Sequence, residues 1–161
     1  NYLRIDGLSI CVVTRKMNIL TVTRFNNLTW NENVRWREKN AFRGCVYNSP
    51  VHIKEDIPLM ITIYVIEMNN DENKILGIGK ILNKVYTDRR YKIYEQGNYN
   101  RYTYRGNLRI SRDEIKNKEI LEKLEKRLFK SKSHLKRGQG ISKVPLDITK
   151  EYLLFIMSEF I

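Results

Sequence analysis

The sequence predicts an α+β fold: a small curved or barrel-like mixed β-sheet flanked by about three helices. Three observations lead there. Met60–Ile66 is a nearly continuous β-branched run, the pattern of a strand buried on both faces. Shorter β-rich runs recur on either side of it. Two segments with apolar residues every three or four positions close the chain. At 161 residues, 42% apolar and 30% charged, the composition suits one globular domain spanning residues 1–161. No apolar run approaches the roughly 20 residues needed to cross a bilayer, so no membrane partner is expected. No basic n-region with a long apolar stretch opens the chain, and an intracellular location, cytoplasmic or nuclear, is expected.

The elements follow in order. Leu8–Val13 and Ile19–Phe25 read as a strand pair around the polar Arg15-Lys16-Met17-Asn18. Thr29-Trp30-Asn31-Glu32 fits a capping box and predicts a helix from Trp30 to about Asn40, ended by Gly44. Cys45–Tyr47 begins another strand before a turn at Asn48-Ser49-Pro50. After the central strand, Asn69–Asn73 is a turn of residues that tolerate left-handed backbone. Ile75–Leu82 returns as a strand, with Gly77 and Gly79 permitting a bulge or close approach. Tyr91–Tyr94 and Tyr102–Ile110 read as strands around the loop Gly97–Asn100. Ser111-Arg112-Asp113-Glu114 is a second capping box, opening a helix with Ile120, Leu121, Leu124 and Leu128 on one face. A last helix, Thr149–Phe160, is expected to bury Tyr152, Leu153, Phe155 and Ile156.

Charge points to function. Lys84–Arg112 holds eight Lys/Arg against two acids and six tyrosines, and Lys130–Lys143 holds five basic residues and no acid. Their net charges of +6 and +5 account for nearly all of the formal +12. Cations interleaved with aromatic rings suit a polyanion with unpaired bases, which is a single-stranded nucleic acid. Arg35 and Arg37 beside the tryptophans, with Arg89, Arg90, Arg101 and Arg105, are candidate phosphate ligands. The loop Lys132–Gly140 adds Lys132, Lys136 and Arg137, with glycines that let backbone N–H groups turn toward an anion. Tyr94 and Tyr99 flank a loop, where a ring is free to approach a base. Trp30 and Trp36 lie six apart, so a regular helix cannot point both at the core.

Catalytic signals are thin. His52 and His134 have no cysteines or acids at zinc-ligand spacing, and neither a Walker loop nor a dinucleotide fingerprint occurs. Glu67 and Asp71 with Lys74 or Lys80 are the nearest approach to a metal-nuclease pattern. Cys11 and Cys45 are expected to be free thiols. No cofactor, metal or catalytic group is expected.

The segment Thr29–Ile81 resembles the PUA-like superfamily, and within it the YTH and EVE domains. The resemblance rests on the tryptophan-bearing segment at Trp30, on Asn40-Ala41-Phe42-Arg43, on the strand Ile61–Ile66, and on the glycine-bearing strand Ile75–Ile81 after a polar turn. It covers about a third of the chain. It implies a small β-barrel that binds RNA and accepts a modified base, such as methylated adenosine, in an aromatic cage. Trp30 matches the first cage tryptophan, with Trp36 as alternate, and Asn69 or Asn70 sits in the turn after the central strand. Where YTH domains place further tryptophans, this chain has Tyr86, Tyr91, Tyr94 and Tyr99.

The sequence therefore leads to a non-enzymatic module that binds RNA, single-stranded rather than duplex, with DNA as a second possibility. The base pocket would combine Trp30 or Trp36 with Tyr94 or Tyr99, and Asn69 or Asn70. A metal-dependent nuclease, or a basic module for an acidic protein partner, are the competing readings.

Overall fold

The computed structural model describes residues 17–161 and, of the segment before them, the backbone strands β1 (Tyr2–Ile5) and β2 (Leu8–Cys11). β3 (Asn18–Phe25) leads into α1 (Asn27–Lys39) and β4 (Cys45–Ser49), and β5 (Thr62–Asn69) turns back as β6 (Lys74–Leu82). β7 (Tyr102–Gly106) and β8 (Leu108–Ser111) flank Asn107. α2 (Lys118–Glu125), β9 (Ser142–Lys143) and α3 (Leu146–Ser158) complete the α+β chain.

The main sheet runs β8-β6-β5-β3-β9, with β3 and β5 parallel and the other neighbours antiparallel. β5 is central, as the β-branched run predicts, and every one of its residues is buried. No ladder joins the two edges among the described residues, so the sheet is not a closed barrel. β7 pairs with β4, while β8, one residue on, pairs with β6. The expected strand Tyr102–Ile110 is thus two strands, bent at Asn107 between two sheets.

Side chains alternate between the two faces of the sheet and build two cores. Leu20, Val22, Tyr64, Ile66 and Met68 meet α2, the π-helical turn Lys126–Lys130 that continues it, and α3 through Leu121, Leu124, Leu128, Ile148, Tyr152 and Ile156. Their neighbours Ile19, Phe25, Ile63 and Val65 face the other way, onto β4, Tyr91, Ile93, Tyr94 and Tyr104. On α3, Ile148, Tyr152 and Ile156 are buried at four-residue spacing, and Leu153 and Phe155 only partly so.

Several expectations are corrected. Leu8–Cys11 pairs with Tyr2–Ile5. Ile19–Phe25 is no hairpin partner of Leu8–Val13, because β3 is buried on both faces between β5 and β9. Residues 12–16 lie outside the described residues. α1 is capped by Asn26, whose Oδ1 accepts from the Thr29 N–H at 2.8 Å while Thr29 Oγ1 accepts from the Asn26 N–H. The helix thus begins three residues earlier than the Thr29–Glu32 box predicts, which places Trp30 in its first turn. The Ser111–Glu114 box forms but opens only one 3₁₀ turn, and α2 starts at Lys118 behind Asn117.

Tyr91–Tyr94 is not a strand. Side chains stand in for the missing ladder: Asn100 Oδ1 accepts from the Ile93 and Tyr94 N–H groups, and Asn100 Nδ2 donates to the Tyr94 carbonyl. Asn48 Nδ2 donates to the Tyr91 carbonyl at 2.7 Å. Free of strand alternation, the segment buries the adjacent Ile93 and Tyr94 together.

Gly79 permits the second core to form. A Cβ there would run into the Tyr47 hydroxyl and the Cys45 thiol of β4, which lies across β6 at this point. Gly79→Ala is expected to cost about 1–3 kcal/mol, the usual penalty for overpacking a filled core, read as a lower urea midpoint at unchanged slope. Cys45 is a free thiol. Burial, reinforced by the Glu67 charge, pushes its pKa up to about 12, so it serves packing in its neutral form.

Candidate nucleic-acid interface

A cavity of about 270 Å³ opens where β3 runs into α1. Its walls are Phe25, Asn26 and Thr29 at that junction, Tyr47 and Asn48 of β4 with Pro50 just beyond it, Asn70 from the β5–β6 turn, and Tyr94 and Tyr99. The loop Gly138-Gln139-Gly140 closes the remaining side. Gly140, at φ 65°, passes against Ser49, where a side chain would collide. Tyr94 is buried, while Tyr99 is 39% exposed and meets it edge-on, with ring centroids 6.3 Å apart. Burial raises the Tyr94 pKa, so its hydroxyl is neutral.

No acidic side chain lines the cavity, and one arginine does. Arg24 Nε donates to the Leu135 carbonyl at 2.6 Å and its Nη1 to Ser142 Oγ at 3.0 Å. Among the described residues no carboxylate pairs with it. Burial lowers its pKa, yet an arginine stays protonated in a protein, so the charge persists without a counter-ion. Gly138, at φ 136°, lies directly over the guanidinium, where a Cβ would come within 2.9 Å of Cζ.

Asn70 adds a directional group. Its Nδ2 donates to the Lys136 carbonyl at 2.7 Å, tying the turn to the basic loop. Its Oδ1 is buried with no partner among the described residues. Buried acceptors are seldom left unpaired, and a donor supplied by a ligand would complete this one.

Two shallower grooves share lining residues with the cavity. One, past Tyr99 and Gln139, is lined by Val51, Gly97, Asn98 and Arg101. The other shares Tyr94 and runs between α1 and residues 90–95, with Arg35, Trp36, Lys39, Arg90 and Lys92 along it.

Of the expected site residues, the structure brings Asn70, Tyr94 and Tyr99 together in the cavity and sets Arg101, Arg35, Arg90 and Trp36 in the adjoining grooves. Lys136 and Arg137 sit beside Gly138. Lys132 lines none of the three. Five of the expected residues lie elsewhere. Trp30 is not in the pocket: its ring packs edge-on against Phe25, with the Arg37 and Arg109 guanidinium groups each 5.2 Å from its centre. Asn69 is committed to the turn, its Nδ2 donating to Asn27 Oδ1 and its Oδ1 accepting from the Asp71 and Glu72 N–H groups. Arg37 is half-buried and donates to Asn33 Oδ1. Arg105 pairs with Asp88 and lies 4.6 Å from the centre of the Tyr86 ring. Arg89 covers Trp36 and Tyr91, at 5.3 and 4.9 Å from their ring centres.

The acids of the nuclease reading are also occupied. Buried Glu67 receives two guanidinium nitrogens of Arg109 and the Tyr47 hydroxyl, and Asp71 accepts from the Asn27 N–H. Sequence reasoning missed Arg24, Asn26, Asn48 and Gln139. The available signal was Arg24, an arginine in an otherwise strand-like run. Comparison with protein-family models, with curated proteins and with solved structures returns no match to this chain.

Proposed function

We propose that this chain binds single-stranded RNA, taking one unpaired base into the cavity between Tyr94, Tyr99 and Asn70. The observation that carries this reading is the unpaired Arg24 in a cavity lined by amides and tyrosines and by no acid. Such a lining favours a neutral, hydrogen-bonding ring next to an anionic group, and a nucleotide has both. The size agrees, since about 270 Å³ lies just below the roughly 300 Å³ where drug-sized pockets begin. A base can enter only when unpaired, which favours single strands over a duplex.

Asn70 Oδ1 is suited to accept an N–H from the base edge, and the faces of Phe25, Tyr94 and Tyr99 to receive a methyl group. Together with the resemblance to YTH-type domains, this supports a modified base such as methylated adenosine as the preferred guest. Binding rather than catalysis is the proposed role.

A polarisation titration tests this with matched single-stranded, duplex, methylated and unmethylated oligonucleotides. Arg24, Arg35, Lys39, Arg90, Lys92 and Arg101 surround the cavity and its grooves. Six neutralised phosphates would give a log–log salt slope of about −4 for a single strand. Tyr99→Ala, which removes an exposed ring, should weaken binding about 5- to 100-fold. A slope near zero, or equal affinity for heparin and for a single strand, would refute the reading and favour an acidic-protein partner.

A further inference from the structure

We infer that the groove between α1 and residues 90–95 is a second nucleotide subsite, holding the base and phosphate next to the nucleotide in the cavity. The assignment rests on the single-strand reading above and adds a direction to it. The groove, about 550 Å³, shares one wall with the cavity: Tyr94 lines both. A strand with one base in the cavity therefore has its next unit on the far side of a single ring.

That groove is built differently from the one on the opposite side. Along α1 it presents Leu28, Arg35, Trp36 and Lys39, residues that recur on one helix face. Leu28 is 66% exposed, an apolar side chain at the edge of a cationic surface. The facing segment supplies Arg90 and Lys92. The four cations are exposed, and the groove's two acids, Glu32 and Glu95, lie together, with Glu32 Oε1 accepting from the Glu95 N–H. None of the four cations forms an ion pair among the described residues. Trp36 is held between Phe42 and Tyr91, with Arg89 over it, so its position is fixed before a ligand arrives. A fixed indole edged by exposed cations suits a stacked base with its phosphate alongside. The groove past Tyr99 offers one cation, Arg101, and no further ring. The two neighbours of the bound base are thus held unequally.

The test is a length series in a competition titration. It compares the preferred mononucleotide, dinucleotides extended on the 5′ or the 3′ side, and dinucleotides whose added unit is abasic. Extension on one side only should tighten binding about 5- to 100-fold, and the abasic unit should lose most of that gain. Trp36→Ala should remove the gain and leave mononucleotide affinity in place. Because Trp36 also packs on Phe42 and Tyr91, the exposed pair R35Q/R90Q provides a second variant, expected to lower affinity for the dinucleotide extended on the favoured side by the smaller, charge-borne share of the gain. Equal affinity for the mononucleotide and both dinucleotides would overturn the second subsite while the cavity reading stood. An abasic gain as large as the base-bearing one would also overturn it, leaving charge alone. Failure of every oligonucleotide to bind would overturn both readings.

Discussion

Glu67→Gln is expected to destabilise the protein by about 3–5 kcal/mol, the cost of leaving one member of a buried ion pair without its partner. Glu67 is 1% exposed at the middle of the second core, where strand alternation points it away from α2 and α3. Arg109 reaches it from β8 with Nη2–Oε2 at 2.6 Å and Nε–Oε1 at 2.9 Å, and Tyr47 donates to Oε1 at 2.8 Å. Glutamine keeps the shape and loses the charge, so Arg109 is left buried beside Trp30 and the cationic Arg37. Natural domains are stable by only about 5–15 kcal/mol, so the loss is a large fraction of the whole. At this chain length it would lower the midpoint of thermal unfolding by roughly 6–20 °C. Tyr47→Phe removes one hydrogen bond and should cost only about 1 kcal/mol. Replacing Glu67 and Arg109 together by leucine should recover part of the single-variant loss, because no buried charge then remains unpaired. A Glu67→Gln protein melting with the parent would show that the charge pair carries no stability.

This triad shows where the sequence could be read and where it could not. The central strand, its return strand and the last helix are visible because their apolar residues follow the period of the element that buries them. Whether Ile19–Phe25 lies beside Leu8–Val13 or beside Thr62–Asn69 depends on long-range pairing, and nothing local distinguishes the two. Tyr91–Tyr94 carries strand-like residues, yet its hydrogen bonds go to the side chains of Asn48 and Asn100. The site divides in the same way. Tyr94 and Tyr99 stand out as rings within a basic stretch beside a glycine. Trp30 and Arg37 carry the residue types of a binding surface but are spent on one another and on Arg109. Arg24 reads as an ordinary solvent-facing residue of a strand until the loop 111 positions later folds over it.

Arg24 is the side chain whose loss should most weaken binding. Arg24→Gln retains a planar amide able to donate to Leu135 or Ser142 and removes only the charge and the fork. A hydrogen bond to a charged group contributes about 1.5–3 kcal/mol, so affinity for single-stranded RNA should fall roughly 10- to 100-fold. One fewer neutralised phosphate should make the salt slope shallower by about 0.7. Arg24→Lys separates the two contributions. A lysine retains the point charge, and with it the slope, but cannot reproduce two directed donors beneath the Gly138 backbone, so affinity should fall while the slope stays. The same titration distinguishes a bound anion from a structural tether. If Arg24 only secures the loop to Leu135 and Ser142, both variants should lower stability alike and leave the salt slope at the parent value. That outcome would remove the anion from the cavity and, with it, the main physical reason to place a nucleotide there.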